Sequence, residues 1–135
     1  MNASQAARRG DVDRLRQNLQ GEVDSASLYR AMAEAEPNPH AAELYGRLAQ
    51  VEESHAAFWR ERLKAAGVRA ADPPPDWRTR MLMWAARRFG AGTVLPTAAT
   101  LESIDRHQYD EQPETQGTGM PWQERSHARL LSQLA

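Results

Sequence analysis

The spacing Glu-x-x-His occurs twice in this chain, as Glu52-Glu53-Ser54-His55 and as Glu124-Arg125-Ser126-His127. On an α-helix, residues three apart share a face. Each pair therefore aims a carboxylate and an imidazole at one point, where both can hold the same metal ion. Two such pairs, joined by a Glu from each of two further helices, make a two-metal carboxylate site inside a helical bundle. Glu22 and Glu102 are the candidates for those two positions.

The remaining sequence agrees with a helical bundle. With 135 residues the chain has the size of one domain, and 41 % apolar residues are enough for a core. The net charge of −1 gives no global reason to expect nucleic acid as a partner. Cysteine is absent, which excludes disulfides, thiolate catalysis, zinc ribbons and rubredoxin-type iron sites within this chain. No apolar run is long enough to span a bilayer, and the N-terminus lacks a signal-peptide core, so a cytoplasmic protein is expected.

Residues 1–10 are small, polar and basic, and are read as a flexible N-terminus ahead of a domain over 11–135. Helical periodicity covers residues 11–36, where Leu15, Leu19, Glu22, Ala26, Tyr29 and Ala33 fall on one stripe. Glu36-Pro37-Asn38-Pro39 ends that helix, and Asn38 followed by Pro39 opens the next. The second helix runs to about residue 66 with Gly67 as its stop. Its stripe is Ala41, Leu44 or Tyr45, Leu48, Glu52, His55, Trp59 and Leu63. Glu22, Glu52 and His55 thus sit where a bundle places apolar residues.

Pro73-Pro74-Pro75 makes a stiff connector, and Asp76 can cap a short helix over 77–89. That segment carries Trp77, Met81 and Trp84 on one side and Arg78, Arg80, Arg87 and Arg88 elsewhere. It is read as a bundle-covering or dimer-forming helix, with a membrane-surface role as the second reading. Gly90-Ala91-Gly92 breaks it, and Thr93 can cap a further helix with Pro96 in its first turn. Val94, Ala98, Leu101, Glu102, Asp105 and Tyr109 are placed on the inner side of that helix. Residues 110–119 read as a loop, and Pro121 opens a last helix with the stripe Glu124, His127, Leu131 and Leu134. That stripe is still running at Ala135, the pattern expected of a chain that continues. The fold expected is an all-α four-helix bundle with an additional short helix between the second and third core helices.

Carboxylate and imidazole donors suit iron in either common oxidation state. Four carboxylates and two neutral imidazoles balance much of the charge of two adjacent ions and leave positions open for oxygen or peroxide. Without metal, some of those buried carboxylates take up protons instead.

With these residues in place, Glu22, Glu52-x-x-His55, Glu102 and Glu124-x-x-His127 resemble the ligand set of the ferritin-like superfamily, and of rubrerythrin in particular. Glu102-x-x-Asp105 is similar to the Glu-x-x-Glu of the third rubrerythrin core helix. The segment from Arg87 through Val94-Leu95-Pro96 to Tyr109 resembles a narrower group, in which a rubrerythrin-like domain precedes a membrane domain of the vacuolar-iron-transporter type. The resemblance implies two iron ions, with manganese or a mixed pair as alternatives. It implies that Glu52 and Glu124 bridge the metals, that Glu22 and His55 complete one shell and Glu102 and His127 the other, and that Asp105 is an alternative ligand. The implied activity is oxidation of ferrous iron by oxygen or peroxide, in the iron-handling domain of a membrane transporter. An iron-sensing or delivery module without turnover and a peroxide-scavenging peroxidase are the alternatives. The implied partners are a second copy of the chain and a covalently linked transport domain, at the cytoplasmic face of a membrane.

Other polar residues receive plainer readings. Glu53 lies off the inner stripe and is solvated. His40 and His107 are surface residues. Tyr29, Tyr45 and Tyr109 are core or rim residues whose hydroxyls need partners, and one of them can instead donate to a metal ligand or act as its redox-active neighbour.

Overall fold

The computed structural model describes residues 2–69, 71–110, 127 and 129–131, and for 103–110 it describes the backbone. Among the described residues there is no β-strand. The order is α1 (Ala3–Ala35), α2 (Pro39–Ala65), α3 (Trp77–Phe89), a 3-10 turn (Ala91–Thr93) and α4 (Leu95–Asp110). His127 and residues 129–131 are helical as well. This is the all-α arrangement that the periodicity predicts, with α3 as the additional helix. The start of the last helix at Pro121 lies outside the described residues.

Helix α1 begins at Ala3, well before residue 11. Asn2 and Gln5 form a reciprocal cap: Asn2 Oδ1 accepts from the Gln5 amide at 2.8 Å, and Gln5 Oε1 accepts from the Asn2 amide at 3.1 Å. Arg8 then donates to the Ala66 carbonyl at 3.0 Å, tying this first part of α1 to the end of α2. Residues 3–10 thus belong to α1, ahead of the start that the periodicity marks at residue 11.

Asn38 caps α2 as expected, accepting from the amides of His40 and Ala41, with Pro39 in the first turn. The far end is closed by Gly67 at φ 80°, a left-handed conformation that favours glycine. The Val68 amide donates to Leu63 O and the Gly67 amide to Lys64 O, so two terminal carbonyls are satisfied. The short turn between α1 and α2 makes them antiparallel neighbours, and theirs is the most extensive contact between elements.

The proline-rich connector is held from both sides. Arg60 grips Asp72 through two nitrogens at 2.7–2.9 Å, Gln20 donates to the Pro74 carbonyl at 2.9 Å, and Asp24 accepts from the Asp76 amide at 2.9 Å. Asp76 in turn caps α3 by accepting from the Thr79 amide. Thr79 and Ala86 are the buried residues of α3, which packs against α1.

Two details of the next segment differ from expectation. Thr93 is not a helix cap: it lies in the 3-10 turn, and its hydroxyl donates to the Phe89 carbonyl at 3.3 Å. Leu101 is 40 % exposed, because the inner face of α4 runs through Leu95, Ala98 and Glu102 at helical spacing and leaves Leu101 to one side.

The core is split into two apolar parts. One contains Leu15, Leu19, Ala56, Trp59 and Leu63. The other is larger and includes Leu28, Tyr29, Met32, Tyr45, Leu48, Val94, Leu95 and Leu131. Along α1 the level between them is occupied by Glu22, and along α2 by Glu52 and His55. A polar layer is thus closed off by hydrocarbon above and below.

Candidate metal centre

Glu22, Glu52, His55, Glu102 and His127 all belong to this layer, and none is more than 6 % exposed. Their donor atoms form two groups. Glu22, Glu52 and His55 make one, and Glu52, Glu102 and His127 make the other, with the donor atoms of each group within 4.8 Å of one another. Glu52 is common to both.

The local structure explains the convergence. Glu52 and His55 are three residues apart on α2, so one helical turn presents both. Glu22 comes from the antiparallel α1, directly opposite. His55 Nδ1 lies 3.5 Å from Glu22 Oε2 and 3.4 Å from Glu52 Oε2. On the other side, His127 Nδ1 lies 3.1 Å from Glu52 Oε1 and 3.7 Å from Glu102 Oε1. The two oxygens of Glu52 therefore face different imidazoles.

Three buried carboxylates this close repel one another and lose their hydration. Burial, followed by the Glu52 charge, pushes Glu22 up to about 8. For His127, burial works against the charged form, but hydrogen bonds and charge attraction from Glu102 and Glu52 outweigh it and raise the ring to about 9. In the metal-free chain near neutral pH, Glu22 keeps a proton beside Glu52, and an imidazolium sits between Glu52 and Glu102. Protons occupy the places where a cation would compensate the charge.

The residues present fit a metal. Each group is a hard, oxygen-rich set with one imidazole, the chemistry that iron and manganese accept. Two donors on one ion lie at most about twice a metal–oxygen bond apart, roughly 4.0–4.4 Å for bonds of about 2.0–2.2 Å. A 4.8 Å spread closes on an ion when each donor moves by a few tenths of an ångström at most.

The surroundings add a directed contact. The Tyr29 hydroxyl donates to Glu102 Oε1, linking α1 to α4. Of the tyrosines considered from the sequence, Tyr29 holds a member of the cluster. Its position on the α1 stripe was readable, but its partner 73 residues away was not. Glu53, next to Glu52, is exposed and bridges α2 to α1 through Arg30 at 2.9–3.0 Å. It takes no part in the buried groups. His40 is exposed. Glu124, and the side chains of Asp105, His107 and Tyr109, lie outside the described residues.

The fold and the cluster define a helical bundle with a buried carboxylate–imidazole centre. The family model for rubrerythrin matches residues 13–87, and the chain belongs to that family, within the ferritin-like superfamily. The matched region carries Glu22, Glu52 and His55, and Glu102 and His127 lie beyond it. Comparison with curated proteins and with solved structures found no match. Among the described residues, no helix is long and apolar enough to cross a membrane.

Proposed function

We propose that this chain binds two iron ions at the Glu/His layer and uses oxygen or peroxide to oxidise ferrous iron. The observation that carries the reading is the sharing of Glu52 by two donor groups, each with its own imidazole and its own further carboxylate. A pair of ferrous ions held side by side would supply two electrons, one from each ion, to oxygen or peroxide. Glu22 and His55 would hold one ion, Glu102 and His127 the other, and Glu52 would touch both. Glu124 would be a second bridging ligand and Asp105 an alternative one, as the rubrerythrin resemblance implies.

The chain's own residues prepare the site. Trp59 and Leu63 on one side and Tyr45 and Leu48 on the other exclude bulk water, which strengthens each charge interaction inside. Glu22 and His127 hold protons in the metal-free state and release them when a cation arrives. Tyr29 holds Glu102 in place and puts a phenolic hydroxyl beside the cluster. With no cysteine in the chain, sustained peroxide reduction would draw its electrons from an outside donor.

The wider setting rests on resemblance alone. The likeness of residues 87–109 to rubrerythrin domains fused to vacuolar-iron-transporter domains supports a cytoplasmic, dimeric iron-handling domain of a membrane transporter. Manganese or a mixed pair would use the same donors.

The test is to load the purified chain anaerobically with ferrous iron and then mix it with oxygen or peroxide in a stopped-flow instrument. Formation of ferric iron faster than in buffer, and lost in His55→Ala, supports oxidation. Stoichiometric binding without accelerated oxidation would instead establish the sensing or delivery reading.

A further inference from the structure

Among the described residues, the solvent face of α3 has no partner. Trp77, Met81, Trp84 and Phe89 are each 59–61 % exposed, an unusual cluster of large apolar side chains on a chain of this size. At about 3.6 residues per turn, Trp77, Met81 and Trp84 form one ridge. Arg80 and Arg87 flank it on one side and Arg78 on the other, with Arg88 on the ridge line and all four exposed. Arg78 stacks on the Trp77 ring and Arg88 on the Phe89 ring, each with 5.3 Å between guanidinium carbon and ring centroid. Trp84 and Phe89 meet edge to face at 5.7 Å. The helix contains four arginines and no acidic residue.

We infer that α3 is a membrane-surface helix that seats its Trp77–Met81–Trp84 ridge in the headgroup region of an anionic bilayer. Amphipathic helices that lie in a lipid interface carry aromatic residues on the inserted face and basic residues beside them. Indole rings favour the interface, and arginines keep apolar stems low while their heads reach phosphate. The helix is also fixed in place: Asp76 caps its start, Gln20 and Asp24 hold the connector before it, and Gly90 at φ 98° ends it. The ridge is therefore presented without an ordering cost. A second copy of the chain is the less suitable occupant. A two-fold contact sets the same patch against itself, which would bring the arginines of two helices together, and among the described residues their compensation is slight: Glu34 lies 3.5 Å from Arg87, and Asp76 faces Arg78.

Flotation of the chain with phosphatidylcholine vesicles, with and without an equal share of phosphatidylglycerol, tests this directly. The chain is expected to float with the anionic vesicles and to stay behind with phosphatidylcholine alone. Binding should weaken at high salt and by about fivefold for each of Arg78→Gln and Arg80→Gln. Trp77→Ala/Trp84→Ala should abolish it. None of these side chains touches the Glu/His layer, so ferrous binding by each variant should equal that of the parent, which reports folding independently of lipid. Absence of flotation overturns the inference, and so does flotation that survives Trp77→Ala/Trp84→Ala. A dimer at sedimentation equilibrium that the same double variant dissolves, without vesicle binding, also overturns it and assigns the ridge to a second copy.

Discussion

His127 Nδ1 lies 3.1 Å from Glu52 Oε1, although 75 residues separate them in the chain. That contact joins the last described helical residues to the middle of α2 and turns two separate Glu/His groups into one centre. If Glu52 serves both groups, its loss differs in kind from the loss of a terminal ligand. Glu52→Ala should abolish binding of both ferrous ions, whereas Glu22→Ala should leave one, measured as iron per chain after anaerobic dialysis. Equal losses in the two variants would show that Glu52 belongs to one group only.

The protonation of the metal-free layer fixes a pH dependence. Glu22 rises from 4.5 to about 8 and His127 from 6.5 to about 9 on folding. The folded chain thus holds more protons than the unfolded one between 4.5 and about 8 for Glu22, and between 6.5 and about 9 for His127. Both contributions are complete below the unfolded values and are lost as pH rises through the folded ones. Urea midpoints of the metal-free chain should fall as pH rises across that range, and Glu22→Gln should flatten the lower part of the fall.

The same protons leave when metal binds. Calorimetric titration near neutral pH, in buffers of different ionisation enthalpy, should show proton release and an affinity that increases with pH. A heat independent of buffer would contradict the assignment of protons to Glu22 and His127.

Tyr29→Phe removes one hydroxyl and leaves the ring packing of α1 unchanged. A buried acceptor that loses a donor costs about 1–3 kcal/mol, and a residue orienting a metal ligand is worth roughly 10–100-fold in affinity. Denaturation of the metal-free variant and ferrous titration measure the two effects separately. An affinity unchanged from the parent would confine Tyr29 to packing.

Gly21 lies beside Glu22 in the interior of α1, and a Cβ built there meets nothing within 4 Å. Among the described residues the glycine therefore serves no close approach, and Gly21→Ala should stabilise the chain by about 0.5–1 kcal/mol through the helix alone. A loss of stability in thermal unfolding would reveal a contact at this position outside the described residues.

Much of this centre was legible because a polar residue on an apolar stripe stands out. Glu22, Glu52 and His55 interrupt periodic Leu and Ala positions, and periodicity places them inward without any knowledge of partners. The start of α1 was misjudged because the small, basic composition of residues 1–10 hid the Asn2/Gln5 cap. Leu101 and Glu102 were both placed on the inner side, but adjacent positions point about 100° apart on a helix, and Glu102 takes the inward one. The Tyr29–Glu102 bond and the exposure of the α3 ridge are tertiary facts: each depends on which helix lies opposite, and local spacing carries no record of that. Asp105 and Glu124 stay expectations from the rubrerythrin resemblance.

The central claim is that one layer holds two ions with Glu52 between them. Anomalous diffraction at the iron edge, on crystals of the chain loaded with ferrous iron, gives number, identity and ligands together. The account predicts two iron peaks per chain, one among Glu22, Glu52 and His55 and the other among Glu52, Glu102 and His127. No peak in this layer, or a single peak held by one group while the other group stays metal-free, would contradict it.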